Sequence, residues 1–353
     1  MRSLRCSPAP SIWATCAPNL STRSPAVIAG GRSRVLLMHP ILDPGPAILA
    51  EAAEVISYPP DRPLDEANIR QAAEGCIGIV SQLMDPIRET VLSSPGLRCV
   101  SNVAVGFDNI DLAAATAHKV MVTNTPGVLD DATADFAFTL LMATARRVVE
   151  ADNFTRSAGF HGWAIDMMLG QDVYGATLGI IGIGRIGRGV AHRAKGFNMR
   201  VLYYDPQPLP QEAEQQLNAT RSSLDRLIAE SDFISVHVPL TKETLHLLST
   251  AQFNAMKRNA ILINTSRGPV VDEAALVEAL KARKLAGAGL DVYEREPAVH
   301  PQLIPMPNVV LAPHIASATV RTRSEMSAMA ARNMATAVRG GRPPNLVNPE
   351  AKR

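Results

Sequence analysis

The sequence predicts an α/β protein with two doubly wound domains, in which helices cover both faces of parallel sheets. From Val35 onward, short apolar segments rich in Val, Ile and Leu alternate with segments of helical periodicity. Near-continuous apolar strands are typical of parallel sheets, and strands that alternate with helices indicate βαβ units. A chain of 353 residues is also long enough to form two hydrophobic cores. We therefore expect two domains with a cleft between them.

In the first domain the pattern predicts four strands and the helices that connect them. The strands are expected at residues 35–39, 76–80, 97–103 and 120–124, with helices at 47–56 and 111–119. A longer helix is predicted at 131–157, because acidic residues at its start suit the positive end of a helix.

The second βαβ series is clearer and predicts six strands. They are expected at residues 178–182, 201–205, 233–238, 261–265, 287–292 and 309–312, with crossover helices such as 272–284. Six strands with crossovers form the doubly wound pattern. A final helix is predicted at about 317–338, and the sequence leaves open whether it returns to the first domain.

Composition and charge exclude several classes of function. The 35 basic and 33 acidic residues give a net charge of +2, which provides no basic surface for nucleic acid. No apolar run approaches the ~20 residues of a membrane span. The four cysteines form no CxxC pair, so neither a metal site nor a disulfide framework is indicated. We expect a cytoplasmic protein that binds neither nucleic acid nor membrane.

Residues 1–33 differ in composition from the rest of the chain and are predicted to be a disordered tail. They contain no acidic residue, whereas Arg2, Arg5, Arg23 and Arg32 are basic. Prolines recur through the segment and interrupt any helix longer than a few turns. An organellar transit peptide and an upstream start codon are the alternatives.

The most specific local motif is the glycine-rich turn Gly-Ile-Gly-Arg-Ile-Gly between a predicted strand and a predicted helix. Gly182 permits the tight turn, Gly184 lets the backbone approach a pyrophosphate, and Gly187 allows close helix–strand packing. The helix N-terminus, which includes Arg185 and Ile186, supplies amides and partial positive charge. In this strand–turn–helix context the motif predicts a Rossmann-type dinucleotide site.

Asp205 ends the second strand of this series, eighteen residues after Gly187. A carboxylate at this position accepts hydrogen bonds from the adenosine ribose hydroxyls and repels a 2′-phosphate. The residues after it, Pro206, Gln207 and Pro208, provide no basic side chain for that phosphate. The sequence therefore predicts NAD(H) as the cofactor, in preference to NADP(H).

Three residues near predicted strand ends provide the groups that a reversible hydride transfer to a 2-oxo acid needs. Arg267 follows the strand at 261–265, and its planar fork suits a carboxylate better than the point charge of a lysine. His314 follows the last strand and can give and take a proton near neutral pH. Glu296 lies eighteen residues earlier and would orient the imidazole if the two side chains meet. Each residue taken alone is more often structural.

Together these residues lie in blocks that resemble the signatures of the D-isomer-specific 2-hydroxyacid dehydrogenases. The blocks are Asn-Thr-Ser-Arg-Gly at 264–268, Gly-Leu-Asp-Val at 289–292 with Glu296 and Pro297, and Pro-His-Ile-Ala-Ser at 313–317. The segment 101–108 is similar to the family's substrate loop, and Thr133-Ala134-Asp135 to the start of its interdomain helix. The blocks follow the glycine motif in the family's order, and the resemblance extends over residues 34–348.

The resemblance implies roles for these residues. His314 would be the acid–base catalyst, Glu296 its support, and Arg267 the substrate-binding cation. The further substrate-binding residues would be Val105, Gly106 and Ser81, and the further cofactor-binding residues Thr133, His237, Val238, Pro239, Thr265, Ser266 and Asp291, together with His314. No metal is implied.

The resemblance also implies an architecture and an oligomer. A flavodoxin-like substrate domain would comprise residues 34–128 and 317–348, and a Rossmann-type NAD-binding domain residues 129–316, with the active site in the cleft between them. Most members of the family are homodimers joined by an arm that corresponds to the stretch around Trp163.

Within the family, the chain is most similar to the glyoxylate/hydroxypyruvate and 2-ketogluconate reductases. Formate dehydrogenases typically have glutamine in place of Glu296, which disfavours that branch. Some hydroxypyruvate reductases have an aromatic residue at the position of Asp166, which leaves the shape of the pocket open. We expect NAD(H)-dependent reduction of small 2-oxo acids to D-2-hydroxy acids. The alternatives are a dehydrogenase for 3-phosphoglycerate or bulkier 2-oxo acids, and a non-catalytic NADH-sensing protein like the corepressors of this fold.

Overall fold

The computed structural model of the protein describes residues 31–351. The predicted tail therefore lies outside the described residues, except for its last three, which form no helix or strand. Within the described part, the strands form two parallel sheets. No helix in that part is both long enough and apolar enough to cross a membrane.

The smaller sheet confirms the first doubly wound α/β unit. Its strands are β1 (Arg34–Leu37), β2 (Glu54–Ser57), β3 (Cys76–Ser81), β4 (Cys99–Asn102) and β5 (Met121–Thr123), with helices α1 (Gly45–Ala52), α2 (Glu66–Ala72), α3 (Glu89–Leu92) and α4 (Leu112–Ala117). The strands are parallel and lie in the order β2-β1-β3-β4-β5. This is the order of flavodoxin-like sheets.

The segment predicted as one helix at 131–157 is two helices, α5 (Asp130–Ala145) and α6 (Val148–Arg156). The chain breaks at Arg147, which has a left-handed φ of 54° and forms a bidentate ion pair with Glu150. One face of α5 is buried, whereas α6 has no buried residue. The prediction was wrong because apolar residues continue across the break without being buried.

The larger sheet confirms the second doubly wound unit. Its strands are β6 (Thr177–Ile181), β7 (Arg200–Tyr204), β8 (Ala219–Arg221), β9 (Phe233–Val236), β10 (Ile261–Asn264), β11 (Gly287–Leu290) and β12 (Val309–Leu311). The helices are α7 (Arg185–Lys195), α8 (Gln211–Leu217), α9 (Leu224–Glu230), α10 (Thr250–Ala255) and α11 (Glu273–Lys281). The parallel strands lie in the order β12-β11-β10-β9-β6-β7-β8, which reverses direction beside β6.

Two edge strands were missed by the sequence pattern. β2 lies partly within residues 47–56, which were predicted to be helical, because α1 ends at Ala52. Both terminal residues of β2 are exposed, and β8 has only three residues, two of them exposed. Both strands contain exposed residues, so they lack the continuous apolar run that revealed the buried strands.

The last helix, α12 (Val320–Val338), returns to the smaller sheet. It packs against α1, β3 and β4. The hydroxyl of Ser101 in β4 donates to the carbonyl oxygen of Ala330 at 2.9 Å, and the Leu42 amide donates to the hydroxyl of Ser327 at 3.0 Å. The structure thus decides a crossing that the sequence left open.

Candidate active site

The predicted catalytic residues lie where carboxyl ends of strands from both sheets come together. Arg267 follows β10 and His314 follows β12, whereas the loop at residues 103–108 follows β4 of the smaller sheet. Ligands of doubly wound proteins bind at the carboxyl ends of the strands. Arg267 and this loop are in direct contact, because the guanidinium donates to Asp108. The cleft between the sheets is therefore the candidate active site.

His314 and Glu296 form a hydrogen-bonded pair. The Nδ1 atom of His314 lies 2.9 Å from Oε2 of Glu296, and both side chains are largely buried. The other carboxylate oxygen of Glu296 accepts a hydrogen bond from the amide of Tyr293 at 3.0 Å. Burial acts to raise the pKa of Glu296, but the hydrogen bond from His314, the charge of His314 and the Tyr293 amide together hold that pKa below its ordinary value. Glu296 is therefore a carboxylate at neutral pH.

The turn that carries His314 is held by Asp291. His314 has a left-handed φ of 54°, and its amide donates to the carbonyl of Asp291 at 2.9 Å. The two carboxylate oxygens of Asp291 accept from the amides of Ile315 at 2.7 Å and Ala316 at 2.8 Å. Burial raises the pKa of Asp291, and these two hydrogen bonds act against that shift. The geometry shows Asp291 fixing the turn, while its predicted contact with the nicotinamide stays a prediction.

Arg267 is oriented by groups from both sides of the cleft. Its Nε donates to Oδ1 of Asp108 at 2.8 Å, and its Nη1 donates to the carbonyl of Ser266 at 2.8 Å. The side chain of Asn264 donates to the carbonyl of Arg267 at 3.0 Å. Any Cβ at Gly106 would overlap the guanidinium, so the close approach requires glycine there. The Nη2 atom has no hydrogen-bond partner among the described residues.

The substrate loop presents backbone donors to the cleft. Among the described residues, nothing accepts a hydrogen bond from the amides of Val105 and Gly106. The loop is held from behind by Asn102, whose side chain donates to the carbonyl of Gly106 at 2.9 Å, and by Asn124, which donates to that of Val105 at 2.8 Å. Ser81 is fully buried and donates to Asn102 at 3.0 Å. This geometry does not support the predicted direct contact of Ser81 with substrate.

The glycine-rich turn has the shape that a pyrophosphate needs. Gly182 has a φ of +93°, and a Cβ there would come within 2.8 Å of the His237 backbone. A Cβ at Gly187 would overlap the carbonyl of Gly182. Gly184 begins α7 with open space above it and no capping side chain, so the first amides of α7, including those of Arg185 and Ile186, stay available.

Asp205 contacts the glycine-rich turn and has a basic neighbour. Its two carboxylate oxygens accept from the amides of Ile183 and Gln207, each at 2.9 Å. Nη2 of Arg221, at the end of β8, donates to the carbonyls of Asp205 at 3.1 Å and Pro206 at 3.0 Å. The expectation of no basic side chain near this position was wrong, because β8 pairs with β7 and brings in a residue distant in sequence.

His237, Val238 and Pro239 follow β9, and the backbone of His237 and the side chain of Val238 lie against the same turn. The ring of His237 shares a 2.8 Å hydrogen bond with the hydroxyl of Ser235. Burial lowers the pKa of His237 to about 3, so the imidazole is neutral at physiological pH. The structure thus places the backbone of His237 beside Gly182 and keeps its imidazole neutral.

The remaining predicted cofactor residues are Thr133, in the first turn of α5, and the pair after β10, Thr265 and Ser266. The hydroxyl of Ser266 donates to Asn264 at 2.8 Å. The buried hydroxyl of Thr265 has no hydrogen-bond partner among the described residues. Buried polar atoms are seldom left unpaired, so this one fits a ligand that supplies the partner. The unpaired hydroxyl of Thr265 and the uncapped start of α7 are both features that suit a bound dinucleotide.

A cavity of about 750 Å³ adjoins His314 and is lined from both sheets and from α12. The imidazole of a second histidine–carboxylate pair also lines it. Nε2 of His39, just beyond β1, lies 2.8 Å from Oδ1 of Asp85, whose side chain is completely buried. The cavity is therefore flanked by two imidazoles, each held by a carboxylate.

Comparison with known proteins places the chain in a family. The sequence signature described as D-isomer specific 2-hydroxyacid dehydrogenase, NAD binding domain, matches residues 138–316. A glyoxylate reductase of Korarchaeum cryptofilum is 50% identical over 323 residues, which cover 90% of this chain and 97% of the relative. The chain belongs to the D-isomer-specific 2-hydroxyacid dehydrogenases. It is accordingly an oxidoreductase that acts on CH–OH groups.

Similar solved structures agree with this assignment. A crystal structure of a protein from Thermus thermophilus is 41% identical with a TM-score of 0.82, covering 89% of this chain and 99% of that chain. The NADPH-dependent glyoxylate/hydroxypyruvate reductase of Sinorhizobium meliloti, in complex with NADP and malonate, is 32% identical with a TM-score of 0.81. That comparison covers 92% of this chain and 99% of the relative.

Several side chains that shape the site of this dehydrogenase were not singled out from the sequence. They are Asp108, which holds Arg267, the pair of His39 and Asp85, and Arg221 beside Asp205. His39 lies two residues beyond β1, and Asp85 lies four residues beyond β3. The rule that selected Arg267, a charged side chain after a strand, could have found His39 and Asp85. Nothing local in the sequence indicates the other two contacts.

Proposed function

We propose that the enzyme reduces small 2-oxo acids, among them glyoxylate, hydroxypyruvate and 2-ketogluconate, to D-2-hydroxy acids with NADH as the reductant. The observation that carries this proposal is the convergence of Arg267, the imidazole of His314 held by Glu296, and the free amides of the substrate loop at one cleft. Relatives named for glyoxylate or hydroxypyruvate reduction support the choice of substrates.

Arg267 and the substrate loop would bind the substrate carboxylate. Asp108 engages Nε of Arg267, which leaves Nη2 to donate to an incoming anion. The unpartnered amides of Val105 and Gly106 add two further donors beside the guanidinium. Charge-assisted hydrogen bonds from several converging donors fix both the position and the orientation of a carboxylate. The 2-oxo group next to that carboxylate is thereby oriented as well.

His314 would move the proton. Because Glu296 accepts the hydrogen bond of Nδ1, the Nε2 atom is the one left to exchange a proton with the substrate oxygen. In reduction the imidazolium donates to the carbonyl oxygen, and in oxidation the neutral ring removes the hydroxyl proton. The hydrogen bond to Glu296 orients the ring, and the buried turn around Asp291 keeps the ring in place.

The glycine-rich turn, Asp205 and Thr265 would hold the dinucleotide. A bound nicotinamide supplies or accepts the hydride at C2 of the substrate, which is chemistry that no side chain provides. The carboxylate of Asp205 favours NADH, since it would repel a 2′-phosphate, whereas Arg221 would attract one. Replacing Asp205 by alanine should lower the ratio of kcat/KM for NADH over NADPH, and Arg221→Gln should raise it. Unchanged ratios in both variants would contradict these roles.

The proposed reaction is tested by oxidation of NADH and NADPH with glyoxylate, hydroxypyruvate, 2-ketogluconate, pyruvate and phenylpyruvate. We expect fast turnover of the first two or three with NADH, and its loss in His314→Ala. Turnover that survives this substitution would contradict the role of His314. Tight NADH binding without turnover of any substrate would instead indicate a cofactor-sensing protein.

We further propose a homodimer, joined by the arm around Trp163. Phe160, Trp163, Ile165 and Leu169 are exposed large apolar side chains within one short segment, and Trp163 is 78% exposed. Such a patch is typical of protein interfaces. Light scattering should give twice the chain mass of 37.8 kDa, and a monomer would contradict the proposal. We also propose that residues 34–128 and 317–348 form the substrate domain and that residues 129–316 form the cofactor domain.

A further inference from the structure

We propose that the cavity beside His314 contains a second anion site, formed by His39 and Arg323, for a charged group at the far end of a longer 2-oxo acid. This inference rests on the proposed function, because it concerns the substrate of the same active site. The substrate class that it adds is 2-oxo acids with a second anionic group, either a carboxylate or a phosphate.

The cavity is larger than glyoxylate needs. Its volume of about 750 Å³ is typical of sites for much larger ligands than a two-carbon acid. The described residues that line it include His314 and Glu296, but neither Arg267 nor the glycine-rich turn. The space therefore extends away from the proposed carboxylate and dinucleotide sites, where the rest of a longer substrate would lie.

Arg323 provides the net charge of the proposed site. It lies in the first turns of α12 and lines the cavity. The side chain is exposed, and its guanidinium has no hydrogen bond or ion pair among the described residues, whereas that of Arg267 is paired with Asp108. Glu296 is the only acidic side chain in the described lining, and it is paired with His314. The part of the lining around Arg323 is thus positive and suited to an anion.

His39 provides a fixed hydrogen-bonding group. Asp85 accepts from Nε2 of His39, and its second oxygen accepts from the amide of Gln82 at 2.7 Å, which fixes the carboxylate. This arrangement leaves Nδ1 of the ring without a partner among the described residues. The hydrogen bond to Asp85 raises the pKa of His39. The protonated ring donates from Nδ1 to an anion.

His39 and Arg323 belong to segments that are joined by hydrogen bonds. The Leu42 amide, in the loop after His39, donates to the hydroxyl of Ser327 at 3.0 Å. That hydroxyl in turn donates to the carbonyl of Arg323 at 2.7 Å. The loop and the first turns of α12 therefore form one wall of the cavity, and both polar groups stand on it. Apolar neighbours such as Met84 and Val103 would contact the carbon chain of the substrate.

The experiment compares two substrates of equal length, 2-oxopentanoate and 2-oxoglutarate, which differ by a methyl or a carboxylate at the far end. We expect kcat/KM of the native enzyme to be at least tenfold higher for 2-oxoglutarate. A parallel comparison of hydroxypyruvate with 3-phosphohydroxypyruvate distinguishes a preference for carboxylate from one for phosphate. A native ratio of one or less in both comparisons would overturn the proposal.

Substitutions test whether His39 and Arg323 form the anion site, through the ratio of kcat/KM for 2-oxoglutarate over 2-oxopentanoate. Arg323→Met should bring the ratio close to one, and His39→Gln should lower it severalfold. The matched control is Arg321→Met on the same helix, because Arg321 is 86% exposed and its one ion pair within the described part of the chain is with Glu325. The control should keep the native ratio. An unchanged ratio in Arg323→Met would overturn the proposal.

A measurement on the native enzyme alone does not depend on whether the variants fold. Glutarate should inhibit glyoxylate reduction competitively at concentrations at least tenfold lower than pentanoate does, and equal inhibition would contradict the second site. If the native enzyme reduces glyoxylate without discriminating between these pairs, the anion site is wrong and the proposed function stands. If it reduces no 2-oxo acid with either nucleotide, the proposed function itself is wrong.

Discussion

The His314–Glu296 pair and the His39–Asp85 pair flank the same cavity and share a design. In each, one carboxylate oxygen contacts the imidazole and the other accepts from a backbone amide, at Tyr293 or Gln82. They differ in which ring nitrogen is engaged, Nδ1 in His314 and Nε2 in His39. They differ also in their surroundings, because only the first shares its cleft with Arg267 and the glycine-rich turn.

This difference teaches that a histidine held by a carboxylate is not by itself a catalytic group. The His314 pair stands at the end of the larger sheet, within reach of donors for a carboxylate and a dinucleotide. The His39 pair stands at the end of the smaller sheet, beside apolar side chains and Arg323, which has no ion pair within residues 31–351. Under the two proposals, the same chemical unit serves proton transfer in one place and binding in the other, according to its neighbours.

The largest expected effect is on His314. His314→Ala should lower kcat for glyoxylate by ~10²–10⁴-fold, the range for a positioned acid–base group. The control is His118→Ala, which removes a third histidine–carboxylate pair on the surface, with Glu89. Its kcat should stay within about twofold of native, since an exposed pair contributes little. Steady-state kinetics that show similar losses of kcat in both variants would contradict a special role for His314.

The next largest effect is expected at Arg267, which lies in the same cleft as the His314 pair and not beside the His39 pair. Arg267→Lys should lower kcat/KM by ~10²-fold, because lysine cannot reproduce the fork that binds Asp108 and substrate together. The control is Arg156→Lys, in an exposed ion pair with Asp152. Normal kinetics in Arg267→Lys would show that a single positive charge is sufficient.

Asp108 is expected to position Arg267 without touching the substrate. Asp108→Asn should raise KM for glyoxylate about tenfold, equivalent to ~1.4 kcal/mol, and change kcat less. The reason is that the neutral amide holds the guanidinium more weakly. Asp152→Asn serves as the control for loss of an exposed charge. A change in kcat with an unaltered KM would argue against a positioning role.

The smallest effect distinguishes the two pairs by the pH dependence of stability. The pKa of His39 is raised by Asp85, so its contribution to stability is complete below about pH 6.5 and is lost as pH rises through the folded-state pKa. The pKa of Glu296 is lowered, so its contribution is present above the ordinary value and is lost in acid. The difference in Tm between native enzyme and His39→Gln should shrink from about pH 5.5 to 8.5. A Tm difference that does not change with pH would contradict an ion pair between protonated His39 and Asp85.

Much of the fold could be predicted from sequence, because buried parallel strands leave a continuous apolar signal. All the central strands of both sheets were predicted in this way, with boundaries within a few residues. The edge strands β2 and β8 and the break at Arg147 were not, since exposed segments lack that signal. The path of α12 depends on its packing against α1 and β4, which involves residues far apart in the chain.

In the candidate site, too, local motifs could be predicted from the sequence, whereas contacts between distant residues could not. The sequence by itself determined the glycine-rich turn and the identities of Arg267, Glu296 and His314, because each lies in a contiguous block whose chemistry is local. Only the tertiary structure decided that Asp108 holds Arg267 and that Arg221 lies beside Asp205. It likewise placed His39 and Arg323 on one wall. The contacts of Arg221 with Asp205 and of Arg267 with Asp108 join residues 16 and 159 positions apart, and residues so far apart meet only because the folded sheets bring them together.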